Sequence, residues 1–100
     1  MKKTGKSTYG TSFYNVTIKT TVNELKRVVG EPSYQGNDGK EKVNFDWACE
    51  TEDGEVVTIY DWKSYKVLDL NEEIEFHLGG RSKDFTLKGK EELETLLKHI

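Results

Sequence analysis

Apolar and polar residues alternate along three stretches of this chain, and apolar residues recur at helical spacing in two others. From Ser12 to Lys19, Tyr14, Val16 and Ile18 share one face, the signature of a half-buried strand. Val43, Phe45, Trp47 and Cys49 alternate with Asn44, Asp46, Ala48 and Glu50 and predict a second. Glu52-Asp53-Gly54-Glu55 reads as a hairpin turn, and Val56 to Trp62 as the returning strand. That strand is apolar on both faces, which suits a central place in a sheet. Ile74, Phe76 and Leu78 alternate with Glu75 and His77 in a fourth strand, ended by Gly79-Gly80.

The helical stripes are Val22, Leu25, Val28 and Val29, then Leu93, Leu96, Leu97 and Ile100. The first follows Thr21-Val22-Asn23-Glu24, a capping box in which hydroxyl and carboxylate each bond the other residue's amide. Gly30 and Pro32 end it. The second is placed over Lys90 to Ile100, with acids early and Lys98 and His99 late, as the helix dipole favours. Residues 81–88 fit a short extended piece around Phe85 and Leu87, and 30–41 form a loop built on Asn37-Asp38-Gly39. The order β-α-β-β-β-α predicts an α+β fold: a small antiparallel sheet packed against one short and one C-terminal helix.

With 100 residues the chain suits one domain, placed at 10–100, behind a flexible basic tail over 1–9. No apolar run is long enough to span a membrane, and MKKTGKSTYG lacks the apolar stretch of a signal peptide. One cysteine, Cys49, and two histidines leave no internal disulfide and no zinc pattern. The net charge of −3 argues against duplex DNA as a partner. Charge is uneven: residues 1–27 hold six Lys and Arg against Glu24, a net +5, and residues 28–100 carry −8.

Candidate chemistry gathers in Thr58-Ile59-Tyr60-Asp61-Trp62-Lys63 with Tyr65, where two aromatics, an acid and a base crowd one strand end. Aromatic faces stack on nucleobases, although Tyr and Trp in strands more commonly anchor a core. His77-Leu78-Gly79-Gly80-Arg81 offers an arginine fork for phosphate, or simply a tight turn. Thr11 and Lys42 are weaker candidates at strand entrances. Asp46 with Asp61-Trp62-Lys63 loosely matches the acid…acid-x-Lys pattern of metal-dependent nucleases, a spacing common by chance. Cys49 shares a face with Phe45 and Trp47, where a thiol is inert core. Neither a Walker loop nor a nucleophile elbow occurs, so no catalytic residue, metal site or cofactor is assigned.

Glu31-Pro32, Asn37-Asp38-Gly39, Lys42-Val43, Trp47, Thr58 to Lys63 and His77-Leu78-Gly79-Gly80 together resemble a small bacteriophage family, the anti-CBASS sponge proteins. The resemblance covers residues 10–82, with Thr-Ile-Tyr-Asp-Trp-Lys its most specific block. It implies a non-catalytic oligomer, a tetramer by expectation, in the cytoplasm of an infected bacterium. Such a protein binds cyclic dinucleotides such as cyclic GMP–AMP, the signals of a host defence, without cleaving them. By chemistry alone Tyr60, Trp62 and Tyr65 would then stack on bases, and Lys42, Lys63 and Arg81 would meet phosphates. Thr11, Asp61 and His77 would read base or ribose edges. The alternatives are an acidic inhibitor of a host defence or nucleic-acid-processing protein, and a phosphodiesterase acting on the same nucleotides.

Overall fold

The computed structural model describes residues 1–100 as an α+β fold with six strands and two helices. These are β1 (Lys2–Lys3), β2 (Ser12–Thr20), α1 (Val22–Val29), β3 (Tyr34–Gln35), β4 (Phe45–Glu50), β5 (Val56–Tyr60), β6 (Ile74–Gly80) and α2 (Lys83–Lys98). All neighbouring strands are antiparallel, in the order β1-β4-β5-β6-β2, with β3 also paired to β4. The registers Trp47↔Ile59 and Ile59↔Leu78 put these side chains on the face that packs against the helices. Both helices lie on this face, α1 through Val22, Leu25 and Val29 and α2 through Leu93.

The expected helix ends at Thr21 and Gly30 are found. The Thr21 hydroxyl accepts from the Glu24 amide at 3.0 Å, but the Glu24 carboxylate accepts from the Thr20 hydroxyl instead of returning to Thr21. The second helix begins seven residues before the expected Lys90, and no extended piece forms around Phe85. Ser82 caps it, accepting from the Phe85 amide at 3.1 Å. Its buried positions include Thr86 and Gly89 as well as Leu93, so small residues replace the apolar marks that periodicity relies on. They let the helix approach the sheet closely.

Within residues 1–9, expected as a loose tail, residues 2–4 lie instead along the outer edge of β4. Lys2 and Lys3 pair with Glu50 and Cys49, and the Thr4 amide donates to the Ala48 carbonyl. The cause is an edge needing partners and an acid needing cations. Glu50 lies 3.4 Å from Lys2 Nζ and 2.8 Å from Lys6 Nζ. β3 pairs with the other half of the same edge, at Asp46 and Phe45, and neither short strand was foreseen.

A Cβ at Gly89 would sit 2.7 Å from Val57 Cγ2 and 3.2 Å from Cγ1, and Val57 is fully buried. Alanine gains about 1 kcal/mol of helix propensity over glycine. Overpacking a stiff buried valine costs about 1–3 kcal/mol. We therefore expect Gly89→Ala to lower stability in urea unfolding despite the gain in propensity.

Candidate functional site

The face of the sheet away from the helices carries the chemistry. Tyr34, Asp46, Tyr60, His77 and Thr17 are register partners across five strands, so they form one row on this face. Ala48, Thr58, Gly79 and Phe13 form the next row. Phe13 lies flat on His77, with ring centroids 4.0 Å apart and planes within 7°. Tyr60 meets both His77 and Trp62 edge-on, at 5.6 and 6.2 Å. Burial lowers the His77 pKa and Glu75 only partly offsets this, so the imidazole is neutral at neutral pH and acts as a stacking surface.

Beside this cluster is an open pocket of about 310 Å³. Its base comes from Asp46, Thr58, Tyr60 and Gly79, and its walls include Phe13, Val43 and Trp62. Gly79 is required for space, since a Cβ there would meet the Thr58 hydroxyl at 2.5 Å. Thr8, Thr11 and Ser12 complete the lining. Their loop is a tight turn in which the Thr11 amide and hydroxyl both donate to the Thr8 carbonyl, with Gly10 at φ 82°. Arg81 holds this loop. Its guanidinium donates to the carbonyls of Ser7 at 2.6 Å and Tyr9 at 3.2 Å.

The opposite wall is set by Asp61. This carboxylate is fully buried and accepts from the amides of Asn44 and Phe45, at 2.9 and 2.8 Å, and from Asn44 Nδ2 at 3.2 Å. Asn44 in turn donates to the Lys66 carbonyl and accepts from the Gly39 amide. The strand ends at Tyr60 because Asp61 turns inward, and Trp62 emerges 43 % exposed. Lys63 takes a φ of 52° and donates its amide to the Lys42 carbonyl at 2.7 Å. The two ammonium groups stand 5.9 Å (Lys42) and 5.7 Å (Lys63) from the Trp62 ring centroid.

Of the nine residues singled out from sequence, Thr11, Tyr60 and Trp62 line the pocket, and Lys42 and Lys63 flank it. His77 lies beneath Phe13. Asp61 has no free edge to offer a ligand, and Arg81, though exposed, spends its guanidinium on bracing a wall. Tyr65 is exposed on the loop at φ 47° and does not line the pocket. Sequence reasoning missed Phe13, and it had Thr58 and Gly79 only inside the two candidate segments, not among the nine site residues. It weighed Asp46 only as a nuclease acid, a pairing that Asp61's three donors break. Phe13 was legible only as the residue out of phase with Tyr14, Val16 and Ile18. Cys49 is buried core, its thiol pushed up to about 12 mainly by burial, so it is no nucleophile at neutral pH.

Asp46 is the anomaly of the site. Its Oδ1 is buried without a hydrogen-bond partner. Burial and, secondarily, the charge of Asp61 raise its pKa. Burial and the charge of Asp46 likewise raise the Tyr60 phenol. A carboxyl whose folded pKa lies above its ordinary 3.8 favours folding when protonated, and that contribution is lost as pH rises through the folded value. Asp46→Asn should therefore unfold at a higher temperature than the parent at pH 7, with the gap closing below about pH 4. An unchanged or lower melting temperature at pH 7 would contradict the assignment. Asp61→Asn has the opposite sign. It turns an acceptor into a donor facing buried N–H groups and should cost at least about 2 kcal/mol in urea unfolding.

No family model, no curated protein and no solved structure matches this chain, so any functional conclusion rests on the geometry of its own residues.

Proposed function

We propose that this protein binds a cyclic dinucleotide on the open face of its sheet and holds it without chemical change. A phage protein of this kind would silence a host defence signal in the infected cell by sequestration. The observation that carries the reading is Trp62, an exposed indole beside an open pocket with a lysine ammonium near its ring on either adjoining loop. A half-exposed indole beside an open pocket presents a ring face on which a base can stack, and base–aromatic stacking contributes about 1–3 kcal/mol per base. Lys42 and Lys63 supply cations for phosphates that would lie beside a stacked base. Phe13, Tyr60 and the hydroxyls of Thr11 and Thr58 give further stacking and polar contacts in the same pocket.

Sequestration acts by mass action, so the protein must bind tightly and be abundant. Self-association belongs to the same reading. β2 ends the sheet and pairs only with β6, so its outer edge offers backbone donors and acceptors to a second copy. No helix is long and apolar enough to cross a membrane.

The test is a calorimetric titration with cyclic di- and trinucleotides, followed by heat release and chromatography of the bound material. Intact ligand at sub-micromolar affinity is the expected result, with Trp62→Ala weakening it roughly tenfold or more. Cleaved nucleotide would make the protein a phosphodiesterase. Absence of binding to the whole panel would sink the proposal and favour the acidic inhibitor of a host protein.

A further inference from the structure

We infer that Arg81 is a positioning residue for ligand binding: its guanidinium is the single tether of the loop over residues 7–11, and untying it lowers affinity for a nucleotide in the pocket without disturbing the fold. The inference rests on the nucleotide-binding reading and deepens it, by assigning control of one pocket wall to a residue that does not line the pocket.

The loop has little else to hold it. Ser7 to Gly10 are exposed and Thr11 is half-buried, so apolar burial does not fix the segment. Its flanks are secured. The Lys6 ammonium meets Glu50 at 2.8 Å and the Gly54 carbonyl at 3.1 Å, and Ser12 opens β2 opposite Gly80. Between the flanks, most hydrogen bonds are internal to the loop. The Tyr9 amide donates to Ser7 Oγ, and the Thr11 amide and hydroxyl donate to the Thr8 carbonyl. These bonds shape a turn but attach it to nothing. The bonds that attach it come from Arg81, Nη2 to the Ser7 carbonyl and Nε to the Tyr9 carbonyl.

Arginine suits this task. Nε and Nη2 lie in one rigid plane, so one side chain spans two carbonyls of the turn, which a lysine ammonium on its flexible stem does not do. Arg81 also stands on a fixed base, since Gly80 ends β6 just before it and Ser82 caps α2 just after it. The wall so held presents Thr8, Thr11 and Ser12 to the pocket, opposite Trp62. With Nε and Nη2 engaged on backbone carbonyls, the fork that the sequence offered for phosphate is already in use, and Arg81 acts through the wall. A wall ordered in advance spares the ligand the entropy of ordering it, so affinity falls when the tether is cut. The fold keeps its core, because Arg81 is exposed and lies outside the hydrophobic cluster.

The experiment compares the full chain with Arg81→Ala and Arg81→Lys. Chymotrypsin cleavage after Tyr9, a side chain 90 % exposed, reports opening of the loop and is read by mass spectrometry of the released fragment. Both variants should be cut there at least about tenfold faster than wild type, with the urea midpoint unchanged. Calorimetric titration with cyclic GMP–AMP, cyclic di-GMP and cyclic di-AMP should show both variants weakened at least about tenfold for whichever ligand wild type binds. The factor should be the same at low and high salt, since no charge facing the ligand is lost. Wild-type cleavage after Tyr9 in Arg81→Ala would overturn the inference, and so would a lowered urea midpoint in both variants, which would make Arg81 a residue of the fold. Full affinity in Arg81→Lys with a loss in Arg81→Ala would mark a direct charge on phosphate and overturn it too, as would unchanged affinity in both. Each of these results leaves the nucleotide-binding reading standing. Binding of none of the three ligands by wild type would overturn both.

Discussion

The buried carboxylate of Asp61 fixes the geometry on which everything else depends. An isolated carboxylate out of water is prohibitively costly, so its three donors from Asn44 and Phe45 are a condition of its being there. They fasten the end of β5 to the start of β4. Through Asn44 the clamp extends to Lys66 and Gly39, and Asn37 adds a reciprocal pair with the Leu68 backbone. Two long loops that would otherwise move independently thus become one unit. Lys42, Trp62 and Lys63 ride on it, and none of the three needs to be held by its own side chain.

The two faces of the sheet are kept apart by residue size. On the helix side, Thr86 and Gly89 bring α2 down against the strands, and large side chains such as Trp47, Phe76 and Leu25 fill the remaining space. On the other side no helix covers the sheet, and, opposite the loop that carries Trp62, the loop over residues 7–11 rises beside it. Arg81 fastens that loop from the far end of β6. The pocket is therefore a gap between two braced loops over a rigid base. That arrangement leaves the pocket lining held by backbone hydrogen bonds already in place.

Strands β2, β4, β5 and β6 and the first helix were legible because their buried positions are large and apolar, and period then decides structure. Three things escaped. The first turns of α2 use Thr86 and Gly89 where the pattern looks for Leu. The pairing of Lys2–Lys3 depends on the edge of β4, which no local signal reports. Asp61 reads as an exposed acid among aromatics, yet tertiary donors bury it completely. The site suffered most from the same cause. Tyr60, Trp62 and the flanking lysines were visible as a cluster in sequence. Phe13 arrives from 47 residues away by sheet pairing, across a bulge that turns on Asn15 at φ 65°.

Asp46 and Asp61 make the sharpest contrast in the molecule, because residue type and neighbourhood are nearly the same and their fates are opposite. One carboxylate is saturated with donors, and the other keeps an oxygen buried and empty while feeling the charge of the first. If stability alone had set both positions, an apolar or amide residue would serve better at Asp46, since nothing in the folded chain rewards the charge there. The saturated acid holds the fold together, whereas the unsaturated one weakens it at the edge of a pocket. The two are coupled, since Asp61, just past the end of β5, adds its charge to the burial that raises the Asp46 pKa.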